Sequence, residues 1–257
     1  MAEDRNFDEL FDRFSRNIKQ SDKGRMREIL IRDDLQATVP GFQDGGLKVL
    51  DAGCGLGDMS VWLAEHGHKI VATDISQKMV EHTRHLAMQS GLTDQIQVYQ
   101  QSVKSALESQ QGFDLICIHA VLEWLAEPYA ILQHIPASLR SGGYLSLTVY
   151  NVHRAVFSNL MRGHFNSVLD MSPGRYQKNS LTPPYPIEPG KIAVMLTDLG
   201  FSVDLHAGLR CFYDYLSPQL RAERRFEDIM VMERRFRHQS PYRDLARYVH
   251  FIARWGD

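Results

Sequence analysis

Between residues 47 and 150, short aliphatic and β-branched runs alternate with stretches whose apolar positions recur every three or four residues. The runs predict strands over 47–50, 69–73, 96–99, 113–119 and 144–150. The recurring positions predict helices over 59–66, 77–90 and 128–139. These strands are apolar almost throughout rather than at every second position, which is the pattern of a parallel sheet covered on both faces. Upstream, residues 1–46 read as two helical stretches, 7–18 and 24–38. Phe7, Phe11 and Phe14 recur at helical spacing, as expected for a helix docking on the core. Downstream, the pattern predicts a helix over 191–199, an extended segment over 201–215, a long arginine-rich helix over 219–236 and a last strand over 247–254. The fold class that accommodates all of this is a doubly wound α/β domain spanning 1–257. Its sheet has seven mostly parallel strands, and N-terminal helices form an extension over 1–46.

Residues 151–190 break the rhythm. They hold five of the ten prolines, few aliphatic residues after Leu169, and the cations Arg154, Arg162, Arg175 and Lys178. A stretch of this length between sheet elements reads as an inserted cap or binding loop.

Composition narrows the class without naming a function. A hydrophobic share of 44% and a charged share of 23% suit a folded globular chain and exclude a disordered one. No apolar run approaches the ~20 residues of a membrane helix. The charged N-terminus lacks an apolar signal segment, so a cytoplasmic location is expected. Three cysteines without Cys-x-x-Cys spacing point to neither a disulfide framework nor a zinc site. A net charge of −2 supplies no global attraction to nucleic acid, so any polyanion must be met by a local patch.

The chemistry is concentrated in the run from Lys48 to Gly57, Lys-Val-Leu-Asp-Ala-Gly-Cys-Gly-Leu-Gly. A strand ends in Asp51, turns through Gly53, Gly55 and Gly57, and continues into a helix. Glycine suits a turn of positive φ against which a ligand lies closely. The next strand ends in a second acid, Asp74, where a carboxylate accepts both hydroxyls of a ribose. A dinucleotide turn is spaced Gly-x-Gly-x-x-Gly; here the spacing is Gly-x-Gly-x-Gly, led by an acid. This resembles the motif of S-adenosylmethionine-dependent methyltransferases, whose cofactor carries a sulfonium and no phosphate. At the other predicted strand tips stand Gln101 to Lys104, His119, and Tyr150 with Asn151. The first reads as an adenine contact or an ordinary polar loop. His119 reads as a ligand contact or a satisfied core histidine. Tyr150 and Asn151 read as substrate holders or buried structural groups. The run 138–145 reads as a helix C-cap glycine turn feeding the fifth strand. No nucleophile–base pair is evident.

From Arg210 to Arg254 the chain carries ten arginines against six acids. That excess is either a solvated helix face with i,i+4 pairs or, with the basic insertion, a surface that follows phosphates.

Several segments are similar to one bacterial family, the tRNA 5-carboxymethoxyuridine methyltransferases. They are Asp4-Arg-Asn-Phe7, Phe14-Ser-Arg-Asn-Ile18, Lys23-Gly24, Val49-Leu-Asp-Ala-Gly53, His119-Ala-Val-Leu-Glu-Trp124, Tyr150-Asn151, Leu181-Thr-Pro and Asp214-Tyr-Leu216. The resemblance implies a Rossmann-like fold, S-adenosyl-L-methionine as cofactor, and tRNA as partner, met at its anticodon region. It further implies methylation of the carboxylate of 5-carboxymethoxyuridine at the wobble position, giving a methyl ester. Carried onto this chain, it implies that Arg27 reaches the cofactor carboxylate, Gly53 and Cys54 give backbone contacts, and Asp74 takes the ribose. Val103 and Lys104 would border the adenine and His119 the cofactor's inner face. Asp51 and Gly55 complete the expected cofactor set. A carboxylate acceptor is already ionised at neutral pH and needs no base, only donors that hold it in line. Arg16, Tyr150, Asn151 and Arg210 are the expected donors. Three other readings stay open: a small-molecule carboxyl- or O-methyltransferase, a nicotinamide-dependent oxidoreductase, and a cofactor-binding scaffold without catalysis.

Overall fold

A computed structural model of the chain describes residues 4–13, 21–169 and 181–256. Its centre is a seven-stranded sheet: β1 Lys48–Ala52, β2 Lys69–Asp74, β3 Ile96–Gln100, β4 Phe113–His119, β5 Leu139–Tyr150, β6 Phe201–Leu209 and β7 Tyr248–Trp255. Their order is β3-β2-β1-β4-β5-β7-β6. The first five strands are parallel, and β7 enters antiparallel between β5 and β6. Strand order reverses between β1 and β4, so a crevice opens at their carboxyl ends. The candidate site lies there.

Successive strand residues point to opposite faces, and both faces are dry. Val49, Leu115, Cys117 and Ile252 join one buried cluster with Leu30 and Leu35 of helix α1 (Asp22–Thr38), Leu63 of α2 (Asp58–Glu65) and Val80 of α3 (Gln77–Gln89). Leu50, Ile116, Ile118 and Phe251 join the other with Ala106 and Leu107 of α4 (Val103–Ser109). Two covered faces explain why these strands read as continuous apolar runs. No helix among the described residues is long and apolar enough to cross a membrane.

Several expected elements take a different form. The segment 101–104, read as an adenine contact or an ordinary polar loop, leads into α4, whose N-cap Ser102 accepts a hydrogen bond from the Ser105 amide. The expected helix over 128–139 is a 3-10 turn, Ala130–His134, followed by the short α5, Ile135–Ser138; β5 begins at once, at Leu139, and takes up the glycine turn. The region 151–190 is not structureless where it is described. Asn151 caps α6 (Val152–Met161), α7 (Phe165–Leu169) follows, and Ile187 pairs with Asn151 before α8 (Pro189–Asp198). The extended run expected over 201–215 ends at Leu209, because Arg210 adopts φ +64° and turns the chain. The long arginine-rich helix divides into α9 (Pro218–Glu223) and α10 (Phe226–Phe236), since Arg224 and Arg225 are both extended. The first expected helix, 7–18, falls largely outside the described residues; Asp8–Leu10 form a 3-10 turn.

Candidate active site

The glycine turn builds the floor. Gly53 has φ +78°, and a Cβ there would stand 2.5 Å from Val121 Cγ2 in the loop after β4. Gly57 has φ +79°, and a Cβ there would meet Thr83 of α3 at 2.7 Å. The two glycines are therefore required by backbone sign and by neighbouring side chains, so the close approach expected from a ligand is made first by the protein itself. The Gly53 and Cys54 amides both donate to the Thr73 carbonyl, at 2.7 and 2.9 Å, which fastens the turn to β2.

Asp74 ends β2 with one oxygen accepting from the Gly55 amide (3.0 Å) and the other from the Ser76 amide (2.9 Å). A carboxylate has about four acceptor positions, so capacity is left for further donors in the cleft that Asp74 lines. Asp51 lies deeper, buried, taking the Ser60 hydroxyl at 2.5 Å. Burial first, then the charge of Asp74, push its carboxyl up to about 6 against the Ser60 hydrogen bond.

Above this floor is a cleft of about 300 Å³. Ile75, Met79, Val103 and Leu125 give it an apolar slot. The N-terminal segment closes one side. The Arg5 amide donates to the Trp124 carbonyl, the Ala126 amide to Asp4, and Ser76 and Lys78 to Asp8, while Phe7 meets Trp124 edge-on at 4.8 Å. His119, at the tip of β4, lines the cleft and hydrogen bonds Ser146 Oγ at 2.8 Å. Burial, then His250 and Arg27, hold it neutral, well below an ordinary histidine.

The remaining wall is cationic. Arg27 and Lys23 come from α1, Arg210 from the turn after β6, and Arg247 from the residue before β7. Arg210 places one terminal nitrogen 2.5 Å from both oxygens of Asp214, and Lys23 Nζ is 3.9 Å from the same carboxylate. Arg154 of α6 stands behind them; it, Arg210 and Asp214 are buried or nearly so. The Nε atoms of Arg154, Arg210 and Arg247 are buried without a hydrogen-bond partner among the described residues. Burial alone would raise Asp214, but Arg210, Arg247 and Arg154 keep it below the usual carboxylate range. Lys23 is lowered by burial and, against Asp214, by repulsion from Arg210, Arg221 and Arg247. These groups surround one carboxylate with more positive charge than it neutralises. A further acid, Glu123, is fully buried behind the cleft with neither oxygen hydrogen-bonded among the described residues, and burial pushes it to about 7.

Of the residues expected from sequence, Arg27, Gly53, Gly55, Asp74, Val103, His119 and Arg210 line this one cleft. Asp51 and Cys54 sit beneath it, and the Cys54 thiol faces Thr83. Lys104 points away, exposed, toward Glu108 on its own helix. Asn151 is spent on structure: its amide nitrogen donates to the Asp244 and Ala246 carbonyls and its oxygen caps α6. Tyr150 is buried under the Arg247 guanidinium, 4.9 Å from its ring, and against Tyr248. Both therefore hold the cationic wall from behind rather than line the cleft. Arg16 lies outside the described residues. Sequence reasoning missed Lys23, Arg154 and Arg247 as one group. The signal available was the polar Asn151 before a helical spacing, which would have placed Arg154 one turn into α6.

Comparison with known proteins gives the family and the fold. Residues 43–183 match the family model of a methyltransferase domain. Over 255 residues the chain is 36% identical to the tRNA 5-carboxymethoxyuridine methyltransferase of Escherichia coli (strain K12), covering 98% of this chain and 97% of that one. A ubiquinone biosynthesis O-methyltransferase of Xanthomonas axonopodis pv. citri (strain 306) is 27% identical over 169 residues, 65% of this chain and 68% of that protein. Among solved structures, magnesium protoporphyrin IX methyltransferase from Synechocystis PCC 6803 with bound SAH has the same fold. Its TM-score is 0.65 at 20% identity, over 97% of this chain and 96% of that one. The likeness to the Escherichia coli protein reaches both ends of the chain, beyond the shared methyltransferase core, and so the chain belongs to the tRNA 5-carboxymethoxyuridine methyltransferase family.

Proposed function

We propose that this protein uses S-adenosyl-L-methionine to methylate the carboxylate of 5-carboxymethoxyuridine at the wobble position of tRNA in the cytoplasm, giving the methyl ester. The observation that carries the reading is the cationic wall. Lys23, Arg27, Arg210 and Arg247 converge on the cleft with Asp214 as their shared counter-ion. Such a wall suits an anionic acceptor and ill suits a neutral hydroxyl or amine.

The residues fit the cofactor. Asp74 retains acceptor capacity for two ribose hydroxyls, the apolar slot of Ile75, Met79 and Val103 suits a purine, and Arg27 is a cation for the amino-acid carboxylate. Absence of a phosphate-binding third glycine and the buried charge of Asp51 favour a cationic ligand over a pyrophosphate. When bound, the cofactor supplies an electrophilic methyl group on a sulfonium. The protein's own task is alignment. A carboxylate needs no base, so Arg210 and Lys23 hold and orient it while the N-terminal segment and Trp124 limit water. Loose orientation by several cations is preferable to one tight clamp, which would stabilise the charged ground state more than a transition state in which the carboxylate is losing its charge.

The direct test is mass spectrometry of wobble nucleosides from cells lacking the protein. Free 5-carboxymethoxyuridine should accumulate and its methyl ester disappear. An unchanged ester level would refute the substrate assignment. Purified protein with S-adenosylmethionine and tRNA from the deleted strain should restore the ester.

A further inference from the structure

Behind the cleft an unbroken line of hydrogen bonds crosses the sheet. His119 Nε2 meets Ser146 Oγ at 2.8 Å, Ser146 Oγ meets His250 Nε2 at 2.9 Å, and His250 Nδ1 meets Asp34 Oδ2 at 2.7 Å. Arg237 closes the far end, its two terminal nitrogens each on one Asp34 oxygen. Ser146 and His250 are fully buried, and Asp34 and Arg237 nearly so, which keeps bulk water out of the line. The line draws on four separate elements: α1, β7, β5 and the tip of β4. Apart from His119, none of the linked residues belongs to the cofactor cradle or the cationic wall.

Such a line has a direction. Burial alone would raise the Asp34 carboxyl, but His250 and Arg237 hold it below the ordinary range, so it is a carboxylate and only accepts. His250 Nδ1 must then carry a hydrogen. Burial keeps that imidazole neutral despite Asp34, which leaves its Nε2 a bare acceptor for the Ser146 hydroxyl. The Ser146 oxygen in turn accepts from His119, whose hydrogen is thereby confined to Nε2. His119 Nδ1 has no hydrogen-bond partner among the described residues and is not sealed in the interior, on a residue that lines the cleft.

We infer that Asp34, His250 and Ser146 are positioning residues that hold His119 in one tautomer, so that its Nδ1 offers the cleft a fixed hydrogen-bond acceptor. The inference rests on the cleft's taking S-adenosylmethionine. That cofactor's ammonium is its strongest donor and the group that a neutral acceptor selects. The carboxylates of cofactor and nucleoside bring no hydrogen and are left to Arg27 and Arg210. The relay thus sorts the two ends of a zwitterion. It also ties the sorting to α1, which carries both Arg27 and Asp34.

The test uses the full chain labelled with 15N-histidine. In the ligand-free protein, His119 is expected as a single tautomer with its hydrogen on Nε2. Ser146→Ala should mix the two tautomers. Thr148→Val, at a buried neighbour on the same strand face whose hydroxyl has no partner among the described residues, should keep the parent spectrum. By calorimetry, Ser146→Ala should bind S-adenosylmethionine more weakly by the fraction of His119 lost to the other tautomer, about twofold for an even mixture, yet bind an analogue lacking the amino group as the parent does. A hydrogen on Nδ1 in the parent protein overturns the inference whether or not the variant folds. Parent-like tautomer and affinity in Ser146→Ala overturn it as well. Absence of any S-adenosylmethionine binding, with the Nε2 tautomer intact, instead refutes the cofactor reading and with it the ligand assigned to His119.

Discussion

Asp51 and Asp74 stand near each other at the tips of adjacent strands but do different work. Asp74 faces the cleft with spare acceptor capacity. Asp74→Ala should weaken S-adenosylmethionine binding by about a hundredfold or more by calorimetry, since two hydrogen bonds to a charged group contribute about 1.5–3 kcal/mol each. Asp51 is buried, and its native carboxyl titrates near 6, above the value of an unfolded aspartate. A raised acid destabilises the fold once it ionises. The penalty is complete above pH 6 and is relieved as pH falls through 6 toward 4, on the order of 3 kcal/mol in full. Asp51→Asn should therefore raise the melting temperature of the ligand-free protein at pH 8 by roughly 5 °C or more. It should also flatten the melting profile between pH 4 and 6. A variant melting below the parent at pH 8 would show that the Asp51 charge stabilises the apo fold.

At the scale of elements, what matters is how turns and helices are pinned to the sheet. The β1–α2 turn depends on the Gly53 backbone and on the Val121 side chain that fills the space beside it. Gly53→Ala should destabilise by ~2 kcal/mol or more, combining the left-handed backbone cost with overpacking against Val121. Adding Val121→Ala should recover the packing part and leave the backbone part, a split that urea denaturation of both variants resolves. Helix α10 is fastened to α1 by two pairs of unequal character. Arg237–Asp34 is buried, whereas Arg234–Asp33 is about half exposed. Removing one partner from a buried pair strands a charge, so Arg237→Ala should cost about 3–5 kcal/mol. Arg234→Ala should cost less than about 1 kcal/mol, the range of a solvated pair. Equal losses would mean that the buried guanidinium contributes no more than a surface one.

For the whole molecule, the proposed function rests on cations from distant parts of the chain meeting beside one cleft. Arg210→Ala should leave S-adenosylmethionine affinity within about twofold while reducing methyl transfer to tRNA at least tenfold, read from single-turnover rates. The remaining Lys23 and Arg247 would still balance Asp214. Binding of tRNA should weaken steeply with salt, with a log–log slope near one per phosphate neutralised. A slope near zero would restrict recognition to the nucleoside and favour a small-molecule acceptor.

How much of this was written locally differs from feature to feature. The strand–glycine turn–helix unit and Asp74 were legible because backbone sign and strand-end position are properties of a few consecutive residues. The parallel sheet was legible because burial on two faces removes the polar half of each strand. Helix α6 was hidden in a proline-rich stretch, since its cap, Asn151, resembles an active-site polar residue until Asp244 and Ala246 are seen to claim its amide. The break at Arg224 and Arg225 leaves no mark in composition, as arginine is a good helix former and only the surrounding packing extends it. Sequence by itself determined the fold class, the strand–glycine turn–helix unit and the excess of arginine. Tertiary structure alone decided which cations face the cleft and which solvent, that Asn151 and Tyr150 stand behind them, and that His119 is wired through Ser146 and His250 to Asp34. The reason is that charge and hydrogen-bond direction depend on neighbours in space, and the residues concerned come from opposite ends of the chain.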